Sequence, residues 1–358
     1  MAGQPRAIAA RAAIGSVARS ADPAPSHRHS RARHHRGAPG HPEAGHGGDV
    51  VIRSWLYVPG HRHDRVPKAV HAGADAVVID LEDAVPPADK VAARAGIPAA
   101  VDAAGEHGPS IWVRINDPAG PWAEDDLDAV AVSGVAGIRV PRCADPTLVA
   151  QVAERTGLPL QLVVESAAGL LQAPELAFAH PLIAGIGLGE ADLSADLRLV
   201  DDTGLDWARG WIVAAARAAG LPSPVQSVWT AVGDPDGLRV SSERGRAQGF
   251  FGRSVVHPRQ IPVVHDVYTP AADEVARADR IVRVAEATRA RGEAAVLDGG
   301  RFIDPAVVEQ ARVILARAAR RNDVARPDAT PPDNQSPLRN ADAAGPPTGS
   351  GVRPGGHQ

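Results

Sequence analysis

Short runs of apolar or β-branched residues recur along the chain, each followed by a longer stretch of helical or mixed pattern, and this alternation predicts parallel strands joined by crossover helices. Eight such runs are legible, at 54–58, 76–80, 111–115, 137–140, 161–164, 182–187, 225–228 and 253–256. Their spacing of very roughly 20–30 residues suits βα units. Eight units in about 210 residues predict a (β/α)₈ TIM barrel over 49–268. An open doubly wound sheet would show a glycine fingerprint after its first strand. Here Pro59-Gly60-His61-Arg62 follows instead.

Beyond the eighth run the pattern becomes helical. Thr269-Pro270 reads as an N-cap with proline at the first helical position, and Val275, Ala278, Ile281, Ala285 and Thr288 mark one face. A Gly299-Gly300 turn leads to a second helix opened by Asp304-Pro305, with Val307, Val308, Ala311, Ile314 and Leu315 on its apolar side. Residues 269–322 are therefore expected to form a helical extension, able to act as a lid or to pack on a neighbouring subunit.

The ends carry no such pattern. Residues 1–48 hold six of the 14 histidines among Arg, Ala, Pro and Gly, and residues 323–358 are rich in Pro, Gly, Asp and Asn. Neither segment can bury enough apolar surface to offset its ordering entropy, so both are expected to be disordered tails. The first twenty residues loosely resemble a transit peptide, but their Ala/Arg bias runs through the whole chain. The histidines lack a regular ligand spacing and read as part of a solvated tail.

With 38 basic and 42 acidic side chains the net charge is −4, which argues against a nucleic-acid footprint. No run approaches the roughly 18 apolar residues of a membrane-spanning helix. The single cysteine, Cys143, cannot form an internal disulfide and reads as a small packing residue, compatible with a reducing, cytoplasmic compartment.

In a barrel of this kind chemistry sits at the C-terminal ends of the strands. Those ends carry Asp80-Leu81-Glu82-Asp83, Arg114-Ile115-Asn116, Pro141-Arg142, Glu165-Ser166, Gly187 to Asp192, Gln226 and His257-Pro258. Ionised groups away from water must be paired or bound to metal. Glu165 and Asp192 come from adjacent strands and could converge on one cation, with Glu82 and Asp83 placed to hold its waters. A carboxylate and water shell suits Mg²⁺, and no Cys/His grouping offers a zinc site. Arg114 would set a planar fork beside that ion, suited to a carboxylate or a developing enolate. Structural roles account for the same residues: Asp80, Glu82 and Asp83 as acids at a helix start, Arg114 as the partner of one of them, Asp192 and Asp304 as caps, and His257 as a loop histidine.

Five ordered segments carry a family resemblance. Arg53-Ser54-Trp55-Leu56-Tyr57-Val58-Pro59-Gly60, Ala74-Asp75-Ala76-Val77-Val78-Ile79-Asp80-Leu81-Glu82-Asp83-Ala84-Val85, Val113-Arg114-Ile115-Asn116, Glu165-Ser166-Ala167-Ala168-Gly169-Leu170 and Val256-His257-Pro258-Arg259-Gln260-Ile261 resemble the HpcH/HpaI aldolase and citrate lyase β-subunit superfamily, closest to its CitE-like CoA-ester lyases. The resemblance implies a TIM barrel with a helical extension, Mg²⁺ on Glu165 and Asp192, and Arg114 binding a 2-oxo acid. It further implies that Asp304, in Gly299-Gly300-Arg301-Phe302-Ile303-Asp304-Pro305, serves as acid/base in a neighbouring subunit's site, within a trimer or hexamer. Arg62, Arg65, Lys68 and Lys90 become candidates for CoA phosphates. The implied reaction is cleavage of a 3-hydroxyacyl-CoA into an acyl-CoA and a 2-oxo acid. Its rivals are a CoA-independent aldolase for 4-hydroxy-2-oxo acids and a non-catalytic or carrier-dependent subunit. Three departures from the family pattern stand out: His61 for an acid, Arg142 for lysine and Gln226 for aspartate.

Overall fold

The computed structural model describes residues 52–292, 296–298 and 301–324. The expected tail 1–48, and all of 323–358 beyond its first two residues, lie outside the described residues. Seven strands form one sheet: β1 (Ser54–Pro59), β2 (Ala76–Asp80), β3 (Ser110–Arg114), β4 (Gly137–Val140), β5 (Leu160–Val164), β6 (Ile183–Leu188) and β7 (Arg253–Val255). The order is β6-β5-β4-β3-β2-β1-β7 and every ladder is parallel, which makes a half-barrel of the TIM type.

The crossovers are helical. They comprise α1 (Val66–Val70), α2 (Lys90–Ala95), α3 (Ile97–Ala104), α4 (Ala123–Ala131), α5 (Pro146–Thr156), α6 (Ala167–Leu171), α7 (Ala173–Ala177), α8 (Glu190–Asp196), α9 (Asp206–Ala218), α10 (Pro235–Ala247) and α11 (Ile261–Tyr268). The two-residue period of the strands sorts their side chains into two cores. Leu56, Val77, Ile79, Val113, Ile138, Leu162 and Val255 face outward into the large core under the helices. Trp55, Ala76, Val78 and Trp112 face inward and meet Val225 in a smaller one. Each fully buried aliphatic side chain in these layers stabilises the fold by roughly 1.5–3 kcal/mol. Gly137 lets the inner core close: a Cβ there would sit 2.4 Å from the Trp112 ring and 2.6 Å from the Pro159 carbonyl.

The seventh expected strand is the exception. Of 225–228, only Gln226 forms a bridge, parallel, to Arg253. Pro222 and Pro224 lead into the segment without backbone N–H groups, which weakens ladder formation. Toward β6 the link is a side chain: Ser227 Oγ donates to the Leu188 carbonyl and accepts from Glu190 N.

The C-terminal extension pairs α12 (Ala272–Ala290) with α13 (Pro305–Val324), connected through an antiparallel hairpin of β8 (Val296–Asp298) and β9 (Arg301–Ile303). Gly299 and Gly300 lie outside the described residues. The first helix begins two residues later than Thr269-Pro270 predicts, because Glu274 Oε2 accepts from Ala271 N and caps it there. Ala278, Ala285 and Thr288 are buried as expected, as are Val308 and Ala311, whereas Val307 is turned to solvent. Arg317 of α13 stacks on Phe251, 4.1 Å from the ring centroid, and donates to Ser223 Oγ at 3.3 Å. Both partners precede strand positions, so α13 is docked at the N-terminal ends of the strands. Among the described residues no helix is long and apolar enough to cross a membrane.

Between strands and helices, Asp126 of α4 ties the end of β3 in place. It is fully buried, accepts from Asn116 N at 2.7 Å and Nδ2 at 2.6 Å, and pairs with Arg94 Nε at 2.6 Å. Asp126→Ala leaves these donors unmatched and should destabilise the protein by about 3–5 kcal/mol, read as a lowered urea midpoint.

Candidate active site

Parallel pairing sets Asp80, the last residue of β2, opposite Arg114, the last residue of β3. Arg114 Nε and Nη2 donate to the two Asp80 oxygens at 2.7 and 2.8 Å, a bidentate pair. Its Nη1 lies 2.8 Å from Glu82 Oε2 and 3.3 Å from Asp83 Oδ2. Burial works against the Arg114 charge, but Asp80, Tyr57 and Glu82 together outweigh it and raise the pKa above the ordinary guanidinium value. The guanidinium also covers the Tyr57 ring, at 5.3 Å.

Glu82 is buried, and Oε2 makes no hydrogen bond despite its nearness to Arg114. Burial pushes its carboxyl up to about 7. Arg142 reaches over from the end of β4, with Nε 3.4 Å from Glu82 Oε1, while its backbone N donates to Glu165 Oε2 at 2.9 Å. That residue adopts φ +53°, a conformation uncommon for a side chain with a Cβ. Glu165 follows β5. Burial raises its pKa, the Arg142 N–H opposes that rise, and the Asp192 charge adds to it. Asp192 is exposed in the first turn of α8. Arg209 holds that turn through Glu190, with contacts of 2.7 and 3.0 Å. Gly189 leaves the room that Glu165 occupies: a Cβ there would fall 2.4 Å from Glu165 Cγ.

Glu82, Asp83, Arg114, Glu165 and Asp192 are thus brought to one end of the sheet, the end their sequence positions predict. A cavity of about 360 Å³ opens beside them, lined by Glu82, Asp83, Asn116, Asp117, Trp122 and Arg142 among others. Asp304 is exposed and caps α13, its Oδ1 accepting from Ala306 N at 2.8 Å. His257 caps a short turn through Nδ1 to Arg259 N, as a loop histidine should. Cys143 is buried and donates to the Val140 carbonyl, and burial pushes its thiol up.

One expectation is corrected, and one departure from the family pattern finds its place. Lys90 is 5% exposed and its ammonium donates to Leu81 O at 2.6 Å, Glu82 O at 2.8 Å and Asn116 Oδ1 at 2.6 Å, so its three donors are spent and it offers nothing to a CoA phosphate. Gln226 points away from the carboxylates: it accepts from Tyr268 Oη and Arg253 Nη1 and donates to Ser241 O, so its missing charge is not missing from the site. Of the other basic candidates, Arg62 is paired with Asp64, and Arg65 and Lys68 are exposed. The sequence offers Arg114 a partner among Asp80, Glu82 and Asp83, and the register selects Asp80, since both residues end adjacent parallel strands.

The model of the HpcH/HpaI aldolase/citrate lyase family matches residues 53–258, more than half of the chain. The chain belongs to that family. A (3S)-malyl-CoA thioesterase of Cereibacter sphaeroides is 35% identical over 276 residues, covering 75% of this chain and 94% of that one. An L-malyl-CoA/β-methylmalyl-CoA lyase of the same species is 32% identical over 301 residues, covering 74% and 94%. Among solved structures, CitE of Mycobacterium tuberculosis in complex with magnesium, acetoacetate and coenzyme A superposes with a TM-score of 0.63 at 30% identity, over 75% of this chain and 99% of that one.

The Lys90 geometry is open to a direct test. Lys90→Met strips donors from buried acceptors and should cost at least about 1–3 kcal/mol in urea unfolding. Arg62→Ala, at an exposed pair, should stay within about 0.5 kcal/mol of the parent.

Proposed function

We propose that this protein is a Mg²⁺-dependent carbon–carbon lyase that cleaves a 3-hydroxyacyl-CoA reversibly into an acyl-CoA and a 2-oxo acid. The observation that carries the reading is Glu165, a half-buried carboxylate beside Asp192 whose hydrogen-bond donor among the described residues is the backbone N–H of Arg142. Of the five carboxylates at this rim, Asp80, Glu82 and Asp83 pair with Arg114, and Arg142 also reaches Glu82, whereas Glu165 and Asp192 have no cationic side chain within ion-pair distance among the described residues, which leaves their negative charge in excess. A divalent cation fits that excess. Among the described residues no three His, Cys, Asp or Glu side chains converge as a ready ligand set. Mg²⁺ suits such a sparse set, because it binds through one or two carboxylates and keeps several waters.

When bound, the ion supplies Lewis acidity at the hydroxyl or carbonyl oxygen of the substrate. The chain supplies the rest. Glu165 and Asp192 would hold the ion, with Glu82 and Asp83 close by as further acceptors, and Arg114 offsets negative charge building on the oxo-acid side. In the cleavage direction a base takes the hydroxyl proton, the carbonyl of the 2-oxo acid forms, and the carbon–carbon bond breaks. Its electron pair passes into the thioester as an enolate, which is then protonated at the alpha carbon. We assign that proton transfer to Asp304 of a neighbouring copy, which makes the protein a homo-oligomer, a trimer or hexamer in this reading, at work in the cytoplasm. Closure of the sheet into eight parallel strands belongs to the same reading, supported by the Gln226–Arg253 bridge and the Ser227 link to Leu188.

A second reading is favoured by the 35% identical relative named as a thioesterase: hydrolysis of the hydroxyacyl-CoA to its acid and free CoA. One experiment separates the two. Purified protein is incubated with Mg²⁺, acetyl- or propionyl-CoA, and glyoxylate, pyruvate or oxaloacetate in turn, and product masses are followed with and without EDTA. A new EDTA-sensitive hydroxyacyl-CoA supports the lyase. A hydroxy acid accumulating with free CoA supports the thioesterase, and CoA-ester binding without any product overturns both. In the active pairing, Glu165→Ala and Asp192→Ala should each abolish the EDTA-sensitive turnover. Gly189→Ala, which crowds Glu165, should weaken Mg²⁺ binding about 10–100-fold by calorimetric titration.

A further inference from the structure

The inner face of the sheet beneath the carboxylate layer holds a charge that the proposed reaction does not use. Arg139 sits on β4 opposite Arg114 in the register and is 4% exposed. No Asp or Glu lies within ion-pair distance of it among the described residues, and its Nε and Nη1 are buried without a hydrogen bond. Aromatic rings stand where a carboxylate would be expected: its guanidinium carbon is 5.6 Å from the Trp55 ring centroid and 5.6 Å from that of Tyr57. Such contacts offset only part of the cost of taking a guanidinium out of water.

The neighbouring polar atoms share the same deficit. Trp55 and Trp112, in edge contact at 5.1 Å, each bury an indole N–H with no partner, and so does the hydroxyl of Ser254, the register partner of Trp55 on β7. Indole and guanidinium can only donate. The unpartnered set is therefore four donor atoms and one hydroxyl, with a full positive charge among them. Water could satisfy the donors, but only an anion would supply the counter-charge.

We propose that the interior of the sheet beneath Arg114 is a binding site for a small monoanion, taken up by Arg139 with the indole N–H groups of Trp55 and Trp112 as neighbouring donors. The anion is of the halide or carboxylate class, drawn either from a free salt or from the carboxylate of a bound substrate. Bromide and pyruvate serve as probes of the two sources.

The protein is crystallised in sodium bromide for anomalous diffraction, and its thermal midpoint is followed as bromide replaces a bulky sulfonate at constant ionic strength. The expected result is an anomalous peak within hydrogen-bonding distance of Arg139, with a midpoint that climbs with each tenfold step in bromide. That slope should persist in Arg139→Lys and vanish in Arg139→Met. Pyruvate that displaces the peak identifies a substrate carboxylate as the natural occupant, and a peak that survives pyruvate identifies a free anion. An interior holding only water, with a midpoint indifferent to bromide, overturns the proposal. Should Arg139→Met fail to fold, the wild-type diffraction and titration arms decide it alone.

Discussion

The bidentate pair between Arg114 and Asp80 fixes the end of the sheet on which the rest of the site is built. Two adjacent parallel strands deliver the residues side by side, and the planar guanidinium then locks both carboxylate oxygens at 2.7 and 2.8 Å. Asp80 is 2% exposed, so without its partner it would be an uncompensated buried charge, a loss of the kind that costs about 3–5 kcal/mol. Arg114 is thereby less a free hand for substrate than a pivot. With two of its nitrogens committed to Asp80, the third draws Glu82 and Asp83 over the same spot.

From that pivot the loops are secured one on another. Arg94 fixes Asp126, Asp126 fixes Asn116, and Asn116 accepts from Lys90, which clasps the carbonyls of Leu81 and Glu82. A buried lysine held by neutral acceptors keeps the loop in place, and its ammonium, which feels Asp126, Asp80, Glu82 and Asp83, offsets only part of the carboxylate charge beside it. That matters because the negative excess is what a divalent cation would answer. Across the sheet, Arg142 bends its backbone into a left-handed conformation, so that one residue offers an N–H to Glu165 and a guanidinium nitrogen to Glu82. Arg209 does for α8 what Lys90 does for the β2 loop, gripping Glu190 two residues from Asp192.

Most of this frame was legible in the sequence, for physical reasons that also explain the gaps. Seven of the eight apolar runs became ladder strands because each buries alternate side chains on both faces, and Glu82, Asp83, Arg114, Glu165 and Asp192 gathered because strand ends in a parallel sheet share one rim. The run at 225–228 has the right composition, yet it follows Pro222 and Pro224, pairs with β7 only through Gln226, and meets β6 through the Ser227 side chain rather than a backbone ladder. The direction of Lys90 differs from the expected one, and that of Gln226 is left open by the sequence, for a related reason. Spacing tells which element a residue belongs to, whereas its direction depends on acceptors and packing partners far off in sequence: Asn116 for Lys90, and Ser241, Arg253 and Tyr268 for Gln226. Arg139 is not legible as a buried charge, and Asp80 is not singled out among the acids beside Arg114, because each gains its meaning from a residue on the next strand.

The extension constrains how Asp304 can take part. Arg317 seats α13 on Phe251 and Ser223, at the N-terminal ends of the strands, whereas Arg114 and Glu165 stand at the C-terminal ends. Thirteen residues separate Asp304 from Arg317 within α13 and its cap, about 20 Å at a rise of 1.5 Å per residue. The cap is itself satisfied, with Asp304 Oδ1 accepting from Ala306 N, so the carboxylate has no structural need of further partners in its own chain. A helix docked at one rim and a catalytic layer at the other are most simply reconciled when the far end of α13 serves a second copy. The proposed proton transfer therefore stands or falls with oligomerisation: a monomer that retained full lyase turnover would remove Asp304 from the mechanism while leaving the Arg114 and Glu165 layer untouched.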